Sequence, residues 1–362
     1  MTLLFFDGFE TYDAGATMAS GLEDVYAMRP DIATTEIFIT PSTRIPGGQA
    51  MRIDTALGSH SGTNPTYGPQ LPLAGYAAGD TWVFGVAIKA SSLGAGGTVR
   101  SIFQLYSSEG EDILALRLHA NGDLTVDRFG VAGSIVTLET ESAAIADANW
   151  HYIEFKTKLH NSTGTWEVHL DEVTIMNGTG DTDNLVRQPA CHLRMGHIQS
   201  AIIDYDDLYI LDTTGSVNND FLGDVLVQRL RPNGDTLTKD FTRSTGSTNW
   251  DLINELGEDD DSTYVESKTL AQRDLYEYED LPMSAATIYA VIAKPVLRKS
   301  EPGSRTCKLL CFSDPIEDET GTIYPSTSYV RQAKLFETDP ATSALWTDAG
   351  VNDAQFGVEI VS

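Results

Sequence analysis

The chain is short of basic residues: 24 Lys and Arg stand against 52 Asp and Glu, for a formal net charge of −28 over 362 residues. Phosphate contacts need clustered cations, so this balance excludes an ordinary nucleic-acid binder. Cysteine is scarce at three, and Cys191, Cys307 and Cys311 supply no second pair for a zinc site. Cys307 and Cys311 on one strand would sit roughly 13 Å apart at about 3.3 Å per residue, so they are expected as reduced core thiols. No apolar run approaches the ~20 residues of a membrane span, and no membrane insertion is expected. The first residues lack a basic region, and Met1 to Asp7 is read as a first strand rather than part of a signal peptide. Proline is modest at 14 and glycine plentiful at 31, a turn-rich but not low-complexity composition.

What is present is period-two alternation. Trp82 to Lys89, Ile102 to Tyr106, Ile113 to His119, Leu124 to Arg128, Trp150 to Lys158 and Thr165 to Asp171 read as strands. Val173 to Met176, His192 to Gly196 and Ile202 to Leu211 follow in the same manner. Asn121-Gly122 is a hairpin-turn signal. Helices are scarce; Asp251 to Leu256 holds at most one turn after Asn249. Strands this short and closely spaced imply an all-β antiparallel sandwich. The polar run Asp212 to Asp220 is the expected boundary. It gives a first domain over 1–212, a linker over 213–224 and a smaller β domain over 225–362. That second domain restarts with a strand at Val225 to Leu230. Further strands are expected at Thr263 to Val265, Asp274 to Tyr278, Ala286 to Leu297, Thr306 to Phe312 and Val358 to Val361. Trp82, Trp150 and Trp166 fall in strong strands and are expected in the core.

Leu4-Phe-Phe-Asp-Gly-Phe-Glu10, Trp150-His-Tyr-Ile-Glu154 and Thr165-Trp-Glu-Val-His-Leu-Asp171 together resemble concanavalin-like, or laminin-G-like, jelly rolls. Glu172 stands where that pattern usually has glycine. Asp206 to Asp212, Asn219 to Val225, Pro232-Asn-Gly-Asp235, Trp250 and Asp259 to Val265 are similar, in order, to tailed-phage virion proteins of this fold. The resemblance covers roughly residues 1 to 300. It implies a non-catalytic structural protein of a bacteriophage virion, tail-associated or decorating the particle. Such a protein would be assembled in the host cytoplasm and would contact other virion proteins and its own copies. The alternative is an adhesin for host-surface glycans, and a glycosidase of the same fold ranks third.

Enzyme chemistry finds little support in the residues. Two-carboxylate glycosidases of this fold often carry E-x-D-x-x-E, and no such string occurs. Glu154 and Glu167 read as strand residues on a solvated face. G-x-S-x-G is missing, and Gly94 to Gly97 lacks the lysine of a phosphate loop. His192 and His197, five apart, match no ligand spacing. No cofactor is expected, with calcium the one ion to consider because hard cations take clustered oxygens. Its candidates are Asp204, Asp206, Asp259 and Asp261, although alternation places Asp207 on the face opposite Asp204 and Asp206. Candidate glycan or partner contacts are the aromatics Tyr67, Tyr76, Trp250, Tyr264 and Trp346. The loop Tyr67 to Ala78 and the tail Trp346 to Ser362 are the expected docking segments. Asn161 and Asn177 match the glycosylation pattern and are read as turns.

Overall fold

The computed structural model describes residues 3–17, 22, 25–27, 36–54, 66–73, 81–93, 99–107, 110–130, 133–183, 190–198, 201–257, 259–285 and 287–362. The chain is all-β and falls into two compact units, Met1–Val227 and Gln228–Ser362.

Among the described residues the first unit has fifteen strands. They are β1 (Leu3–Asp7), β2 (Ile37–Pro41), β3 (Gln49–Asp54), β4 (Thr66–Tyr67), β5 (Gln70–Pro72), β6 (Thr81–Ser92), β7 (Val99–Ser107), β8 (Asp112–His119), β9 (Leu124–Phe129), β10 (Ile135–Glu141), β11 (Trp150–Lys158), β12 (Gly164–Leu170), β13 (Val173–Gly180), β14 (Ala190–Ile198) and β15 (Ile202–Asp212). An eight-stranded sheet runs β13-β12-β11-β6-β15-β3-β2, with β1 also on β15. A seven-stranded sheet runs β10-β9-β8-β7-β14-β4, with β5 also on β14. All pairings are antiparallel. The inward residues of both sheets form one core, including Phe84, Val86, Ile153, Phe155 and Ile203 from one sheet and Phe103, Leu105, Leu116, Val126 and Met195 from the other. This is the concanavalin-like jelly-roll sandwich, with core side chains alternating along strands such as β11 and β12.

Strands β2, β3, β4, β5 and β10 are additions to the alternation read from sequence, β4 and β5 falling in or beside the stretch read as a docking loop. Strand β10 is a sheet edge and keeps Ile135 and Val136 exposed, so its burial does not alternate. Trp82 and Trp166 lie in the core as expected. Trp150 does not: it is half-buried on the outer side of β11, and its indole N–H donates to Thr43 Oγ1 at 3.0 Å.

The expected strand Val225 to Leu230 is also corrected. Residues 220–227 have no ladder partner and instead form a strap tied side chain by side chain to the outer face of the eight-stranded sheet. Lys156 Nζ pairs with Asp220 at 2.9 Å, and Phe221 stacks on His169 with ring centres 3.8 Å apart. Leu222 N and Gly223 N donate to Glu154 Oε1 at 3.0 and 2.9 Å. Arg44 pairs with Asp224 and donates to Val225 O at 2.8 Å, and Val227 N donates to Asp207 Oδ1 at 2.6 Å. Carboxylates here replace a neighbouring strand as acceptors for the strap's N–H groups, which answers their need for partners. Glu154, expected on a solvated face, is thus 1% exposed and also accepts from the Tyr209 hydroxyl. The Tyr209 ring lies across Gly85, where a Cβ would come within 2.0 Å of it.

The second unit is built on a five-stranded antiparallel sheet ordered Pro232–Lys239, Arg273–Tyr278, Gln355–Ile360, Cys307–Ser313 and Ile316–Glu319. A single 3-10 turn, Trp250–Leu252, stands where a helical turn was expected. The tail expected to dock elsewhere instead supplies the short helix Asp348–Asp353 and the central strand of this sheet. Cys307 and Cys311 are buried and free, and burial pushes their thiols up to about 11 and about 12.

Candidate functional site

The two outer faces of the sandwich differ. That of the eight-stranded sheet carries the strap. That of the seven-stranded sheet carries a band of polar side chains contributed by five strands. Its register sets Gln70, Arg194, Gln104, Ala115 and Asp127 in one row across β5, β14, β7, β8 and β9. Four strand spacings of about 4.8 Å make that row roughly 19 Å long. A second row holds Ser101, Arg117 and Thr125, and a third pairs His192 with Tyr106.

These side chains point away from the core yet are shielded. Gln104 and Arg194 are each 1% exposed, while His119, His192 and Arg117 are half-buried. One end of the band is internally bonded. Arg117 Nη1 donates to Asp127 Oδ2 at 2.9 Å, Thr125 Oγ1 to the same oxygen at 3.1 Å, and His119 Nε2 lies 2.9 Å from Thr125 Oγ1. On the other side His192 stacks on Tyr106 at 4.9 Å, and the Arg194 guanidinium lies over the same ring at 4.4 Å. Burial lowers the His119 and His192 imidazoles below their ordinary range, and Arg194 lowers His192 further. Both shifts favour the neutral imidazole.

Between these groups lies Gln104. Neither its Oε1 nor its Nε2 has a hydrogen-bond partner, and Gln70 Nε2, Ser101 Oγ and Asp127 Oδ1 are in the same condition. Buried polar atoms left without partners cost about 1–3 kcal/mol each, and these lie together on one sheet face.

The residues singled out from sequence lie mostly elsewhere. Asp204 is held in a two-pronged ion pair by Arg52, at 2.6 and 2.9 Å. Asp206 accepts from Ser42 Oγ at 2.8 Å. A bulge at Asp207, with φ of 50°, turns that residue to the same side as Asp206, against the alternation expected. Glu10 joins them. Burial first, then the charges of Asp206 and Asp207, push Glu10 up to about 9. Burial raises both aspartates as well, Asp207 being held down in part by Arg44. Asp259 accepts from Thr263 N and Oγ1 within a turn, and Asp261 is bonded to Arg298 and Tyr329. Among the described residues, no group of three His, Cys, Asp or Glu side chains is arranged to hold a metal ion.

Of the aromatic candidates, Tyr67 pairs with His197 at the rim of the seven-stranded sheet. Tyr76 lies outside the described residues. Trp250 and Tyr264 are half-buried in the second unit; Trp250 N donates to Asp235 at 2.8 Å, and Tyr264 N to Ser244 Oγ at 3.0 Å. Trp346 is no surface contact: it is 3% exposed, sits in the second unit's core and donates to Phe336 O at 2.9 Å.

Solved structures with a similar sandwich include an endo-β-1,4-glucuronan lyase from the fungus Trichoderma reesei, at 12% identity and a TM-score of 0.41 over 58% of this chain and 95% of that one. An alginate lyase solved with an alginate trisaccharide matches at 10% identity and a TM-score of 0.37, over 58% of this chain and 98% of that one. A galectin from Caenorhabditis elegans matches at 9% identity and a TM-score of 0.30, over 49% of this chain and 98% of that one. No family model matches the chain. No curated protein matches it in sequence. The named structures are two lyases and a galectin, and the likeness is one of fold. The expectation of a virion structural protein is corrected: the similar structures named are two polysaccharide lyases and a galectin, and none of these is a virion component.

Proposed function

We propose that the protein binds a glycan along the outer face of the seven-stranded sheet. The observation that carries this reading is Gln104, a buried outward-facing amide without a partner on either polar atom, set in a row with Gln70 and Arg194. Sugar hydroxyls are paired donors and acceptors, which is what a primary amide requires. A row of roughly 19 Å suits an oligosaccharide better than one sugar. Affinity electrophoresis through gels containing alginate, glucuronan, cellulose or galactan tests the reading. Retardation by at least one polymer, lost in Gln104→Met, is expected; equal mobility in every gel refutes it.

A second reading, cleavage of the bound chain, is favoured by the neutral His192 stacked on Tyr106 beside Arg194. Elimination from a uronate would move the C5 proton to a base such as His192. The C4–O bond would break as its oxygen takes a proton, leaving a C4=C5 double bond, while Arg194 offsets the carboxylate charge. Hydrolysis by paired carboxylates is not favoured, because Asp127 is already committed to Arg117 and Thr125. Ultraviolet absorbance of unsaturated uronate, growing with time and lost in His192→Ala, would establish cleavage.

A further inference from the structure

On the opposite sheet, the first unit holds a pocket of about 360 Å³. Its walls come from four segments. Arg44 belongs to the turn between β2 and β3, and Trp150 and His151 open β11. Asp171 lies in the β12–β13 turn, and Asp224 and Leu226 are on the strap.

We propose that this pocket binds a single pyranose ring, independently of the polar face of the seven-stranded sheet. The volume lies near the lower end of ligand pockets, about 300–1,000 Å³, which fits one ring and not a chain. Trp150 gives a flat apolar wall whose orientation is fixed by the indole bond to Thr43, and Leu226, 37% exposed, supplies apolar surface at the rim. Asp171 and Asp224 leave about half of each side chain open, at 53% exposure, so their carboxylates are available as acceptors for ring hydroxyls. The cationic groups are already matched. Arg44 is held by Asp207, Asp224 and Val225 O, and His151 lies between Asp171 at 2.8 Å and Asp147 at 2.9 Å. Arg44 and His151 are each taken up by two carboxylates, so the cavity has no spare positive charge for an anion, and neutral hydroxyls that donate to the open oxygens of Asp171 and Asp224 suit it. Each polar group is also fixed beforehand by protein partners, so little ordering is required on binding.

The test is saturation-transfer NMR on the full chain with methyl glycosides of glucose, galactose, mannose and N-acetylglucosamine at millimolar concentration. At least one glycoside is expected to bind, with transfer strongest at its ring C–H protons. Trp150→Ala should weaken it by about tenfold or more, with Trp150→Phe in between. Should Trp150→Ala fail to fold, Asp224→Asn is the substitute and should weaken the same signal. Gln104→Met should leave it unchanged, so failure of the polymer-binding face is told apart from failure of this pocket. The proposal is overturned if no glycoside gives transfer. It is equally overturned if transfer survives undiminished in Trp150→Ala, or disappears in Gln104→Met.

Discussion

Replacing Gln104 by methionine is expected to stabilise the protein while removing glycan binding. Methionine has a similar length and volume, so the substitution leaves no large cavity. The wild-type amide is 1% exposed and lacks a partner on both polar atoms. Such a group costs about 1–3 kcal/mol, and an apolar group of the same shape removes that cost. A domain of 150–250 residues gains about 2–4 °C in Tm per kcal/mol, so an increase of roughly 4–8 °C is expected for about 2 kcal/mol. Differential scanning calorimetry reads the shift in the transition of the first unit, and affinity electrophoresis reads binding on the same preparation. A fall in Tm of more than about 2 °C would show that the amide is already satisfied in the free protein, and the case for the polar face would go with it. Higher stability with binding intact would place the glycan elsewhere.

Three further outcomes follow from groups already described. Glu10, held at about 9 when folded, binds a proton in the native state that the unfolded chain releases above about 4.5. Its contribution is therefore greatest at acid pH and lost as pH rises towards 9; Tm measured with chelator present should fall across that window, and Glu10→Gln should flatten the slope. His151, raised by its bonds to Asp171 and Asp147 against the opposing effect of burial, stabilises the fold below its unfolded value near 6.5 and loses that effect as pH passes its folded value. Its NMR titration midpoint should lie above 6.5 and drop in Asp171→Asn. Glu154→Ala should destabilise the first unit by about 3 kcal/mol, because Tyr209, Leu222 and Gly223 all lose their acceptor. Urea titration measures it, and a loss under about 0.5 kcal/mol would mean that the strap is not held through Glu154.

The sandwich was legible because β6, β8, β11 and β12 alternate strongly and their turns carry glycine, asparagine or aspartate. The edge strand β10 was not, since an edge with both faces partly wet has no reason to alternate. The polar face was hidden for a different reason. Alternation marks Gln104, Arg194 and Gln70 as outward, which reads as solvated; only the long-range pairing of β7, β14 and β5 shows that they adjoin. A usable signal existed in Gln104 and Tyr106 on one strand and His192 and Arg194 on another, but strand adjacency is a property of topology and not of spacing. The strap escaped for a related reason, since Val225 to Leu230 has strand composition and only Glu154, Asp207 and Arg44 reveal that its N–H groups bond to side chains.

The pairing of β1 with β15 also bears on how the chain folds as it is made. Leu3 lies opposite Leu211, and β15 sits in the middle of its sheet, between β6 on one side and β3 and β1 on the other. The eight-stranded sheet therefore has no central strand until residue 211 has left the ribosome. At about 5–20 residues per second, that delay is roughly 10–40 s. From the completion of β6 at Ser92, about the last 6–24 s of that interval, β6 and β3 expose unpaired edges of apolar residues, a state prone to association with other nascent chains. Yield of soluble protein should thus depend on chaperone supply and growth temperature more steeply than the stability of the finished fold would suggest.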